Sequence, residues 1–323
     1  MHSIEDLRNN TQLIDDVNKR VPELWSSFDN IVSYNGRSFS DEDIDNSVNE
    51  VFKSCIDIIS LVPLMISFVD IPQVVRGRPN YAGEIFNKQS QLSYNTEFPD
   101  RIAFGRFNRK SEPLFYASLP TESKNVDYVL SCALECCKEL TAEKRNYKFQ
   151  DITVGGWVVN DPIPAINLCF NDGHLNENPS LQNAVTKHLN LIRECFSPEA
   201  NQFITSFLYY FSDLSGTLAK NDYHYFATAA LFNAIRYYYS EVRKEPEFGL
   251  IYPGAMSEKK GLNIVLTREA VDKHLTLDKV VMFRYCPVYN GATDCLAEPC
   301  SDLVYPDVAG NFKITGYKLP GNA

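Results

Sequence analysis

Helical and strand-like stretches are mixed in this chain without regular strand–helix–strand alternation, and that ordering constrains the fold more than any other feature. Residues 1–65 read as helical throughout. Ser40 with Asp43 forms a capping-box-like start, and Ile44, Val48, Phe52, Cys55 and Ile59 then recur at helical spacing. Short strand-like runs follow, first from Met65 into a loop at Arg76-Gly77-Arg78-Pro79, then at Leu114 to Ser118. A helix over Val126 to Leu140 separates these from two short strands within 152–168, preceded by a Gly155-Gly156 turn. Ser180, Ser197-Pro198 and Asp222 each open a helix in the next block. Strands return at Gly249 to Tyr252, Leu262 to Leu266, Val280 to Tyr285 and, in the Gly- and Pro-rich tail, Phe312 to Tyr317. A doubly wound sheet needs strand and helix to alternate, so the expected class is α+β with a mixed sheet. No linker is evident. The division expected is a helical N-terminal extension over residues 1–65, packed on a main domain over residues 66–323.

Charge and cysteine usage narrow the function. With 41 acidic against 31 basic residues, the formal charge is −10. An acidic surface repels nucleic acid and anionic membrane, so neither is expected as a partner. The nine cysteines form no CxxC pair and resemble neither a disulfide framework nor a zinc knuckle. Reduced thiols, the lack of an apolar leader in MHSIEDLRNNTQ and the lack of an 18-residue apolar run lead to the expectation of a cytoplasmic protein. The five histidines have no metal-ligand spacing, so no metal is expected. A phosphate loop, a dinucleotide GxGxxG and a GxSxG elbow are all missing from the sequence, which removes support for the common ATPase, dehydrogenase and hydrolase classes.

Several segments do carry chemistry. In chain order they are Val75-Arg76-Gly77-Arg78-Pro79-Asn80, Gly105-Arg106-Phe107-Asn108, Phe115-Tyr116-Ala117-Ser118 and Ala133-Leu134-Glu135. Leu250-Ile251-Tyr252-Pro253-Gly254 and Gly261-Leu262-Asn263-Ile264-Val265-Leu266 complete the series. Taken in this order, residues 66–285 resemble the RES family, whose members resemble ADP-ribosyltransferases and often act as toxins. The helix from Asp222-Tyr223 to Ile235 is similar to the family's penultimate helix.

The resemblance implies an ADP-ribosyltransferase-like fold and a pocket that takes NAD as substrate. It implies Glu135 and Tyr116 as catalytic residues, and Arg76, Arg106, Asn108, Tyr252 and Gly254 as binding residues. Planar guanidinium groups suit a pyrophosphate, and a carboxylate near the ribose stabilises a developing ribosyl cation. Arg78 reads equally well as a surface arginine, and Glu122 competes with Glu135 as the carboxylate. The family's serine position falls on Gly254, with Ser257 three residues on. The activity implied is cleavage of the nicotinamide–ribose bond, by a glycohydrolase, a phosphorylase or an ADP-ribosyltransferase. The alternative is a catalytically impaired nucleotide-binding regulatory module, because Gly254 lacks the hydroxyl. Family membership further implies a cognate helix-turn-helix antitoxin as a partner.

Overall fold

The computed structural model describes residues 4–34, 37, 44–137, 140, 149–218, 225–256, 260–287 and 295–319. Strands β1 (Ile66–Val69), β2 (Gln73–Pro79), β3 (Phe115–Leu119), β4 (Gln150–Val159) and β5 (Ile163–Asn167) are followed by β6 (Gly249–Pro253), β7 (Leu262–Leu266), β8 (Leu275–Pro287) and β9 (Cys295–Pro299). They form one sheet in the order β1-β5-β6-β7-β3-β2-β4-β8-β9. The β5–β6 pair is parallel and the other pairs are antiparallel. The helices are α1 (Ile4–Asn9), α2 (Thr11–Ser33), α3 (Ile44–Ile59), α4 (Gln89–Leu92) and α5 (Tyr128–Cys136) before the second block. That block holds α6 (Asp172–Leu175), α7 (Pro179–Cys195), α8 (Pro198–Ser215) and α9 (Phe226–Tyr237), and α10 (Arg268–His274) lies between the last long strands. The fold is therefore α+β on a mixed sheet. Among the described residues no helix is long and apolar enough to cross a membrane.

One face of the sheet carries a single apolar layer, including Val74, Phe115, Trp157, Ile264 and Leu277. The opposite face carries two separate layers. Over the β1-to-β3 half, α2, α3, α8 and α9 bury Phe28, Val48, Phe207 and Phe232 together with Tyr252 and Val265. Over the β2-β4-β8 half, α5 packs Cys132, Ala133 and Leu134 on Val75, Ile152 and Tyr285. The N-terminal helices thus share one core with α8 and α9, because their apolar stripes have no other surface to cover.

The two halves meet at β2 and β3, where the sheet splays. Seven residue pairs join β2 to β4, yet only Val75↔Ser118 joins β2 to β3. Gly77 permits α5 to lie close to β2, since a Cβ there would meet Cys136 Sγ at 3.0 Å and Cys132 Sγ at 3.3 Å.

Several local expectations need correction. Arg76 to Pro79 belong to β2 and are not a loop, because the β4 ladder runs to the Pro79↔Ile152 pair. Gly155 and Gly156 lie inside β4 and make no turn. Side chains there would collide with Leu277 and Gln73, and the register slips just after them, between Gly156 and Trp157. Pro179 occupies the first turn of α7, with Asn178 rather than Ser180 at its cap. Residues 312–317 form no strand. The tail's strand is β9, paired with β8. Ser197 caps α8 by accepting from Ala200 N at 3.2 Å, as its sequence signature predicts. The expected starts at Ser40–Asp43 and Asp222 lie outside the described residues.

Candidate functional site

A cleft of about 720 Å³ opens at the seam between the two helical layers, where β2 and β3 part. Its size lies within the roughly 300–1,000 Å³ range of small-molecule sites. Arg76, Arg106, Asn108, Tyr116, Glu135 and Tyr252 all line it, although they come from five separate segments. Gly254 does not line it. Its N–H donates to Gly261 O at 2.8 Å, closing the end of the β6–β7 pair. Ser257 lies outside the described residues.

Arg76 occupies the gap between the parted strands. Its Nη1 donates to Tyr116 O at 2.7 Å, satisfying a carbonyl that a neighbouring strand would otherwise hold. Its guanidinium lies 4.9 Å from the Phe115 ring centroid. Its Nε is buried with no acceptor, and among the described residues no carboxylate pairs with it. Burial pushes its pKa down.

Arg106 is held from every side. It donates to Ser215 O and to Thr217 O, the latter at 3.3 Å. Its guanidinium sits 4.3 Å from the Tyr225 ring centroid and 5.5 Å from that of Tyr252. Its Nη2 lies 3.5 Å from Glu135 Oε2, with the two side chains 10% and 14% exposed. Burial acts against the Arg106 charge and Glu135 acts for it, and the balance lies above the ordinary arginine value. The other Glu135 oxygen accepts from Met256 N at 2.9 Å. The carboxylate is thus fixed from both ends.

Tyr116 and Asn108 shape the turn that presents Arg106. The Tyr116 hydroxyl donates to Asn108 Oδ1 at 2.9 Å and accepts from Phe107 N at 3.1 Å. Asn108 Nδ2 donates to Ala103 O and Arg109 O, each at 2.9 Å. Gly105 is needed beneath this turn, since a Cβ would stand 2.4 Å from Asn108 Oδ1. The geometry therefore gives the Tyr116 hydroxyl a positioning task, and its ring serves as cleft wall.

No protein-family model matches this chain. No curated protein sequence matches it either. The chemistry of the cleft has to be read from its own atoms.

Glu122 is placed elsewhere. Its Oε1 accepts from Ser180 N at 3.0 Å, in the first turn of α7, and it does not line the cleft. Arg78 does line the cleft, with its guanidinium 4.9 Å from the Phe86 ring centroid and a donor on Gln91 O. Cys132 and Cys136 also face the space. Burial pushes the Cys132 thiol up to about 11 and raises Cys136 as well. Neither is a thiolate at neutral pH, so neither is poised as a nucleophile. Burial raises the Tyr116 and Tyr252 phenols too. The cleft carries fixed charges of both signs, an arrangement suited to electrostatic stabilisation.

Sequence reasoning missed Tyr225 and gave Ser118 and Asn263 no role. Tyr225 lies in the segment that resembles the family's penultimate helix, but nothing in that segment singles it out. It is found only because α9 places its ring against Arg106.

Proposed function

We propose that the cleft binds NAD as substrate and that the chain is an NAD-consuming enzyme of RES type, cleaving the nicotinamide–ribose bond. One observation carries this reading. Arg76, a half-buried guanidinium whose Nε is buried without an acceptor and which has no carboxylate partner among the described residues, faces the same cleft as the fixed carboxylate Glu135. A half-buried cation with an unfilled donor suits an anionic ligand, and a pyrophosphate supplies the charge and the acceptors. Arg106 and Arg78 line the same space and add positive charge to it.

Pyridinium is already a good leaving group, so departure of neutral nicotinamide requires no general acid. The transition state instead needs negative charge beside the ribose as the C–N bond breaks and the sugar becomes cationic. Glu135 supplies that charge, and its hold on Met256 N and Arg106 keeps it from reorganising. Tyr116 and Asn108 keep Arg106 in place. Water, phosphate or a protein side chain completes the reaction as acceptor. The ADP-ribosyltransferase-like fold, a toxic action in the cytoplasm and a helix-turn-helix antitoxin covering the cleft belong to the same proposal. Incubating the purified chain with NAD, with and without phosphate, and resolving the products tests it. Release of nicotinamide is expected, and the partner product names the acceptor. Intact NAD after long incubation at high enzyme concentration overturns the enzymatic reading.

Gly254 favours a second reading, a binding module that has lost turnover, since a glycine stands where the family has serine. Among the described residues the glycines with positive φ are Gly83, Gly310 and Gly316. Gly254 thus has no left-handed backbone to exclude a side chain. Gly254→Ser should leave the melting temperature within about 2 °C of wild type, a shift well under 1 kcal/mol. A gain of NAD cleavage in this variant over an inactive wild type identifies the binding module, and equal activity in both rejects it.

A further inference from the structure

Across the cleft floor, β3, β7 and β6 present three polar side chains in one cross-strand row. Ser118 is the register partner of Asn263, and Asn263 is the partner of Tyr252. All three line the cleft. Ser118 Oγ donates to Asn263 Oδ1 at 2.7 Å. That bond uses the acceptor end of the amide and fixes its plane. The donor end, Nδ2, is buried and has no partner among the described residues, in a residue only 2% exposed. A buried amide N–H without an acceptor is destabilising, and native chains rarely retain one without a use for it.

The ligand chemistry follows from the contrast with the arginines. Arg76 and Arg106 bring charged donors suited to anionic groups. Asn263 brings a neutral donor, held by Ser118, in a cleft that Tyr116, Tyr252, Leu134 and Met256 also line. A neutral donor beside aromatic and apolar walls suits a flat ring bearing a neutral carbonyl. We propose that Asn263 is a specificity-determining residue whose Nδ2 donates to the carboxamide carbonyl of the nicotinamide ring, with Ser118 orienting the amide. This inference rests on the reading of the cleft as an NAD site. It adds the orientation of the substrate, with the ring on the β3-β7-β6 floor and the pyrophosphate towards the arginines.

Four probes test it by calorimetry on the full chain: nicotinamide, benzamide, pyridine and ADP-ribose. Wild type should bind nicotinamide and benzamide, which carry the carboxamide, more tightly than pyridine, which lacks it. Asn263→Asp keeps the Ser118 contact and exchanges the donor for an acceptor. It should weaken nicotinamide by roughly 10- to 100-fold and leave ADP-ribose within about twofold, since that part of the ligand never meets Asn263. In steady state the loss should fall on KM more than on kcat, because the contact is already present in bound substrate. The double variant Ser118→Ala with Asn263→Leu guards against a folding artefact. Replacing both polar partners by apolar groups should leave the melting temperature at or above wild type, with the same loss of nicotinamide binding. Variants that fold and bind nicotinamide as wild type does overturn the inference. ADP-ribose binding by wild type without preference for carboxamide rings overturns it while leaving the NAD site standing. Failure of wild type to bind any of the four, or NAD, overturns both.

Discussion

Two arginines, Arg76 on β2 and Arg284 on β8, sit in the same sheet and are treated in opposite ways. Arg284 is fully compensated. Its Nε and Nη2 grip the two oxygens of Asp151, each at 2.8 Å, in a pair 8% and 6% exposed. Tyr317 donates to the same carboxylate at 2.8 Å, and Arg284 also holds Lys318 O at 3.1 Å, so the tail is tied down by this cluster. Asp151 raises the Arg284 pKa. Arg76 has no such partner among the described residues, and burial lowers its pKa. A buried charge matched inside the chain is architecture. A charge left unmatched beside a cleft is a demand for something from outside.

The largest expected effect breaks the compensated pair. Asp151→Asn strands the Arg284 charge and should cost about 3–5 kcal/mol of stability, read as a lower urea midpoint. If stability is unchanged, the pair is not the pin described here. The cleft should behave in reverse. Glu135→Gln should cut turnover by roughly two to three orders of magnitude, about 3–4 kcal/mol in the barrier, with a smaller loss of stability than Asp151→Asn, because Arg106 keeps its bonds to Ser215 O and Thr217 O. Undiminished NAD cleavage in that variant removes Glu135 from the chemistry, and because Glu122 lies at the start of α7 it offers no replacement.

A third test uses a buried titratable group of the helical layer that does not line the cleft. His188 of α7 is 2% exposed, and burial lowers its pKa from the ordinary 6.5 to about 4. The folded state keeps it neutral, whereas the unfolded chain protonates it near its ordinary value. Its contribution is therefore fully present above pH 6.5 and is lost as the pH falls towards 4, by about 3 kcal/mol in all. His188→Gln should flatten the stability profile across that window, and an unchanged slope would assign the acid sensitivity to other groups. The smallest stability effect should come from Arg76→Met. Removing an uncompensated charge while losing one hydrogen bond should leave stability within about 1 kcal/mol of wild type. ADP-ribose affinity should fall roughly 10- to 100-fold, because a charge-assisted contact is lost. A stability loss as large as that of Asp151→Asn would make Arg76 structural and dissolve the contrast.

Much of this was legible from local pattern. The helical stripe from Ile44 to Ile59, the Ser197-Pro198 start of α8 and the strands at β3, β6 and β7 follow from spacing and capping chemistry alone. The glycines misled, because Gly77, Gly155 and Gly156 read as turns when taken singly. They are glycines because something packs against the strand: α5 on one, Leu277 and Gln73 on the others. The tail misled as well. Its strand is chosen by the free edge of β8 and its C-terminal residues by the Asp151–Arg284 cluster, and neither is a near neighbour in sequence.

By itself the sequence determined the inventory: which segments are helical or extended, an α+β class, and a set of arginines, tyrosines and carboxylates with the chemistry to hold a charged ligand. These depend on interactions across a few residues, which periodicity and caps report directly. Tertiary structure alone decided the rest. It parted β2 from β3, left Arg76 without a carboxylate and matched Arg284 with one. It sent Glu135 into the cleft and Glu122 to the start of α7, and it set Ser118 opposite Asn263 with one amide donor unfilled. Each of these is a matter of register and of contact between distant segments. A one-residue slip of a strand would turn every such side chain to the other face, so no local pattern could have reported them.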